Sequence, residues 1–162
     1  MMHLKLKLFV TALAFMLPTI PANAVDDNVI TFSEDDVAMN AAIAKARSSL
    51  PVFWKKYLTR QANEDGFALK IKIVDGQAIE HFWCNEITGD ENMSTCVIAN
   101  DPELVTTVAY GQEIQVNPDD ISDWKFERNG KIIGGETIRV MIPKLSKQEA
   151  DEIQAMMSDD TQ

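Results

Sequence analysis

Two alternating stretches joined at one tight turn constrain this chain more than any other feature. In residues 67–74, Phe67, Leu69, Ile71 and Ile73 fall on one face and Lys70 and Lys72 on the other. Asp75-Gly76 follows, a pair that supplies the left-handed conformations of a hairpin turn. Residues 78–84 then alternate again. Ile79, His81 and Trp83 point one way, and Glu80, Phe82 and Cys84 the other. The spacing predicts an antiparallel hairpin whose second limb is rich in aromatic and β-branched residues. That limb also holds the sole histidine beyond residue 24.

The first 24 residues are read as a signal peptide rather than as part of the fold. Lys5 and Lys7 precede an apolar run over residues 8–17, which is too short to span a bilayer. Pro18 and Pro21 end the run, and Ala22-Asn23-Ala24 has the form of a cleavage site. Cleavage after Ala24 would leave residues 25–162 as a single periplasmic or secreted domain, with no stable membrane insertion. Loss of Lys5 and Lys7 takes the formal charge from −10 to −12. Such acidity repels phosphate backbones and anionic lipid, which points away from nucleic acid and towards a cationic protein or envelope component.

Export also governs the cysteines. Cys84 and Cys96 are the two in the chain and are expected to pair in an oxidising compartment. Closing a loop of that size contributes about 3 kcal/mol by restricting the unfolded chain. Two cysteines and one histidine make a poor zinc set, so no metal and no cofactor is expected.

Around the hairpin, residues 33–50 read as a helix capped by Ser33, with Met39, Ile43, Ala46 and Leu50 as its apolar stripe. Pro51 is read as the first residue of a second helix over 51–60. Further strands are predicted at 96–99, 113–116, 121–127, 131–133 and 137–142, with Asn129-Gly130 as a second hairpin turn. Gly134-Gly135 marks a bulge or a close approach to the backbone. Ser146 and Glu149 form a capping box for a last helix. The fold class is therefore α+β, a single domain. An antiparallel sheet of about five or six strands carries an N-terminal helix on one face and a C-terminal helix at an edge.

In order and spacing, Glu80-His81-Phe82-Trp83, Gly111, Ile121-Ser122-Asp123-Trp124, Gly134-Gly135 and Thr137-Ile138-Arg139 resemble the YegJ-like bacterial proteins, a family built on a domain of unknown function. The resemblance covers about residues 39–153. It implies one compact α+β domain and no inherited activity or catalytic residues.

Among chemically capable residues, His81 is the candidate general base, with Glu80 or Asp123 as its acidic partner. Glu80 and His81 are adjacent on a strand and so point to opposite faces. Asp123 and Arg139 would meet as an ion pair if strands 121–127 and 137–142 were neighbours. Trp83, Trp124 and Arg139 are candidate ligand contacts. The chain has no nucleophile elbow, no H-E-x-x-H and no phosphate loop. The leading functional expectation is a non-catalytic binding or interaction domain with a cationic partner, its concrete form an inhibitor or immunity-type protein. The alternative is a small envelope hydrolase built on His81.

Overall fold

A computed structural model describes residues 36–159. The signal peptide, the segment 25–32 and Ser33 lie outside the described residues. The chain runs through helix α1 (Val37–Leu58), strands β1 (Glu64–Asp75), β2 (Ala78–Gly89), β3 (Ser94–Ile98) and β4 (Glu113–Val116), and a 3-10 turn (Pro118–Asp120). It continues through β5 (Ile121–Arg128), β6 (Lys131–Gly134), α2 (Glu136–Met141), a second 3-10 turn (Ile142–Lys144) and α3 (Lys147–Met156). The strands form one six-stranded antiparallel sheet in the order β4-β3-β2-β1-β5-β6.

The Asp75-Gly76 turn sets the register of the central hairpin. Leu69 pairs with Cys84, Lys70 with Trp83, Ile71 with Phe82 and Lys72 with His81. Paired residues share a face, so Leu69, Ile71, Phe82 and Cys84 lie together on the side that α1 covers. Phe53, Trp54 and Tyr57 of α1 meet Phe67, Trp124 and Phe126 there in a chain of ring contacts. The Cys84–Cys96 disulfide is formed within this core, with both residues fully buried.

Three expectations are corrected. Asp36, not Ser33, caps α1: its carboxylate accepts from the Met39 N–H at 2.9 Å and the first turn begins at Val37. The two helices expected at 33–50 and 51–60 are one, with Pro51 inside it. A proline within a helix costs about 3 kcal/mol, and burial of Phe53, Trp54 and Tyr57 on the same face returns more, at about 2 kcal/mol each. Residues 137–142 are not a strand. Gly135 turns the chain at φ 66°, and the Asp123 carboxylate collects the first N–H groups of what becomes α2.

The Ser146 capping box is present, with both of its reciprocal bonds. What approaches Gly134 is the Trp124 ring, and Gly134 adopts φ 81°. The long loop after β3 is held by two carboxylates. Glu80 accepts the N–H groups of Glu103, Leu104 and Val105 at 3.0–3.2 Å, and Asp75 accepts the N–H and hydroxyl of Thr106 at 2.8 Å.

Candidate functional site

On the side of the sheet away from the aromatic core lie Lys70, Lys72, His81 and Trp83, with Lys125 and Asp123 from the neighbouring strand. This face is covered in part by α2 and otherwise stands half-exposed. At its centre the Trp83 indole receives two ammonium groups. Lys70 Nζ lies 5.5 Å and Lys125 Nζ 5.3 Å from the ring centroid, both within cation–π range. Lys125 pairs in register with Ala68, whose small side chain leaves room for the lysine to reach across β1. Lys70 Nζ also donates to the Thr137 hydroxyl at 3.2 Å. Burial pushes the Lys70 ammonium below the usual lysine range, against the pull of the Asp123 charge.

His81 lies beside this centre. Its Nδ1 is 2.8 Å from the Ser122 hydroxyl, which donates to the Lys70 carbonyl at 3.1 Å. A hydroxyl has one proton to give, so with that proton on the carbonyl the His81 bond runs from Nδ1–H to the serine oxygen. The imidazole therefore holds Ser122 in place and does not draw a proton from it. Burial, then the charges of Lys70 and Lys72, push the His81 pKa down to about 4. The ring is neutral at physiological pH.

This carries a pH dependence of known sign. The unfolded chain takes up a proton at His81 below about pH 6.5, whereas the folded chain waits until about pH 4. The folded state thus loses stability as pH falls from about 6.5 to about 4. Urea midpoints of the wild type should decline over that interval, and those of His81→Gln should decline less. Equal slopes would mean that His81 is solvated in the folded protein.

An open cleft of about 270 Å³ flanks His81 and Ser122, with Ile43 and Arg47 of α1 on its far side. Its charges largely answer one another. Arg47 meets Asp119 at 3.6 Å, and Lys72 meets Asp120 at 4.0 Å. Arg47 also donates to the carbonyls of Asp119 and Ile121, at 2.5 and 3.0 Å.

The remaining candidates are dispersed. Asp123 is 1% exposed and accepts from Trp124 N, Glu136 N, Thr137 N and the Thr137 hydroxyl at 2.6–3.2 Å. Burial raises its pKa, while those donors and Lys70 pull it back. It does not pair with Arg139, which lies on α2 and donates to the Ser158 carbonyl at 2.8 Å. The expected ion pair required residues 137–142 to be a strand, and they are a helix. Glu80 faces away from His81 and holds the loop. Trp124 is 1% exposed and donates its indole N–H to the Ala46 carbonyl, so it presents no surface to a ligand. Only His81 and Trp83 share the open face.

Sequence reading passed over Lys70, Lys125 and Ser122. The alternation placed Lys70 on this face, but only the strand register brings Lys125 to the indole. Among the described residues, no group of three or more His, Cys, Asp or Glu side chains is placed to hold a metal ion.

Comparison with known proteins adds a family. The model of the DUF2314 family, described as uncharacterized proteins conserved in bacteria, matches residues 36–158. An uncharacterized protein YegJ of Escherichia coli (strain K12) is 40% identical over 133 residues, covering 82% of this chain and 86% of that protein. A putative ankyrin repeat protein of Neisseria meningitidis serogroup B is 33% identical over 136 residues, covering 78% of this chain and 53% of that protein. No solved structure matches the chain.

Proposed function

Because the chain belongs to the DUF2314 family of uncharacterized proteins conserved in bacteria, it inherits no assigned reaction, and we propose that it is an exported, non-catalytic binding domain. One observation carries this reading: each acid–base candidate is already committed to a structural bond. His81 is neutral and donates to Ser122, Asp123 holds the start of α2, and Glu80 holds the loop over residues 103–105. The sheet face around Trp83 stands half-open beside them.

Export is supported by the charged, apolar and A-x-A pattern of residues 1–24 and by the buried cysteine pair. Among the described residues no helix is long and apolar enough to cross a membrane. The match to about half of the longer Neisseria protein supports a self-contained module that also occurs joined to other sequence.

The acid excess supports a cationic partner, as in an inhibitor or immunity protein that meets a basic cell-wall enzyme. Charge of this kind raises encounter rate and makes binding salt-dependent. Residues 25–162 should bind basic envelope proteins at low ionic strength and release them as salt rises. Absence of association with any basic protein at low salt removes this reading.

The Ser122–His81 contact favours one other reading, a small envelope hydrolase. It requires ester or amide turnover that disappears in both Ser122→Ala and His81→Ala. Ser122 is only 3% exposed, which argues against substrate access.

A further inference from the structure

We infer that the slot between the free edge of β1 and the outer edge of β4 takes up an extended, cationic segment of the partner as an added strand. This rests on the cationic-partner reading above and names where and how that partner docks.

The two borders of the sheet differ. β6 is closed by the C-terminal segment of the chain itself: Ile132 bridges to Met157, and the Ser158 N–H donates to the Ile132 carbonyl at 2.9 Å. Among the described residues β4 has no such cover. Its pairing with β3 fixes which of its groups are left over. The Ile98 N–H donates to the Gln112 carbonyl, and the register then pairs Val97 with Glu113, Cys96 with Ile114 and Thr95 with Gln115. Bonded and non-bonded pairs alternate in an antiparallel ladder, so Ile114 turns its main chain to β3 while Glu113 and Gln115 turn theirs outward. Both of these residues are exposed.

A second free edge lies across from it. β5 pairs with β1 only as far as Ile71, so Lys72, Ile73 and Val74 have β2 on one side and no strand on the other. β4 stands three places from β1 in the sheet order, about 14 Å away in a flat sheet. Yet Ile114 and Gln115 share an open cleft of about 340 Å³ with residues 71–74. No residue of β2 or β3 lines this cleft, so it lies between the two edges and not over the strands that join them. Asn117 and Asp120 close one end.

Charge selects the occupant. Residues 73–124 contain no Lys or Arg and eleven Asp or Glu, whereas the rest of the chain has 15 Lys or Arg and 14 Asp or Glu. The acid excess thus belongs to the part that builds β2, β3, β4 and the turn at the end of the slot. Lys72, the one base along the slot, already faces Asp120 at 4.0 Å. A strand added beside β4 continues its alternation, with apolar side chains on the Ile114 face and cationic ones on the Glu113 face. Main-chain bonds hold such a strand, and charge draws it in.

Amide NMR of residues 25–162 tests this with three probes: acetyl-(Lys-Val)3-amide, acetyl-(Glu-Val)3-amide and spermine, a polycation without a peptide backbone. The lysine peptide should saturably shift the amides of Lys72, Val74, Glu113 and Gln115, and should bind at least about tenfold more tightly than the other two. Gln115→Pro removes an outward N–H that the sheet does not use, a change that edge strands tolerate. It should weaken binding about tenfold with an unchanged circular dichroism spectrum. Glu113→Lys should weaken binding by a similar factor, and keeps the test decisive if Gln115→Pro does not fold. Glu152→Lys, the same charge change at an exposed position of α3, should not. Absence of binding, equal binding of either other probe, shifts confined to other amides, or full affinity in Glu113→Lys would overturn the inference. So would self-association that shifts the same amides without peptide, because the occupant would then be a second copy. Salt-dependent binding of basic envelope proteins that leaves these amides unshifted would remove the slot and keep the binding function. A seated lysine peptide with no basic envelope protein bound would do the reverse.

Discussion

Gly134→Ala is expected to lower stability by about 2–5 kcal/mol, seen as a large drop in urea midpoint. An added Cβ would lie 2.5 Å from the Trp124 carbonyl oxygen and 2.7 Å from two carbons of its ring. None of these atoms can yield. The ring stacks on Phe126 and tilts against Phe53, and its N–H is bonded to the Ala46 carbonyl at 3.0 Å. Overpacking of a full core costs about 1–3 kcal/mol, and the φ of 81° adds the strain of a left-handed alanine, about 1–2 kcal/mol. Gly76→Ala provides the comparison. Its φ is 62°, but its Cβ would meet nothing within 4 Å, so only the conformational part, about 1 kcal/mol, should appear. Similar losses in the two variants would show that the Trp124 ring moves to make room.

The second large effect belongs to Asp123. Asp123→Ala removes the acceptor for two N–H groups at the start of α2 and for the Thr137 hydroxyl, all in a region where Thr137 is 1% exposed. It also removes the charge that steadies the buried Lys70 ammonium. Leaving such donors and a cation unanswered costs about 3–5 kcal/mol. The loss should be local as well as global. Amide exchange over residues 136–141 should quicken more than exchange in β1 and β2. Asp123→Asn keeps the shape but turns an NH2 group towards some of these donors, and should fall between. A midpoint within about 1 kcal/mol of wild type in Asp123→Ala would mean that water or another group can cap α2.

These two positions also mark the boundary of what the sequence makes legible. Asp75-Gly76 and Asn129-Gly130, with the alternation on either side, locate four strands. The register of the central hairpin follows from its turn. The capping box at Ser146 locates the last helix, and local chemistry suffices for all of these. Residues 137–142 mislead because Ile138, Val140 and Ile142 alternate as a strand would. Their helix is started by a carboxylate thirteen or fourteen residues upstream, on another element. Pro51 misleads because its local cost is outweighed by aromatic burial that only the tertiary fold provides.

The site divides in the same way. Trp83 and His81 are visible as one face of an alternating strand. Lys125 reaches that face through the β1–β5 register, and Ser122 reaches His81 at the register shift beside Ile71. Trp124 and Asp123 looked chemically active for the reason that makes them structural: polar or amphipathic groups in an apolar stretch must find partners inside the fold.

The strand order has a consequence for synthesis. Strands β1 to β4 follow one another as a meander, but β1 lies between β2 and β5, and β5 begins at Ile121. Until that part of the chain has been made, one side of β1 is an unpaired edge carrying Phe67, Leu69 and Ile71 next to open amides. Pairing Glu64 with Arg128 then closes a loop across more than half of the described residues, a slow step by contact order. A nascent chain stalled before residue 121 would expose this edge to copies of itself, and a chaperone that covers extended apolar segments would find its substrate there. The strand that lies near the centre of the finished sheet is thus, during biogenesis, its most vulnerable border.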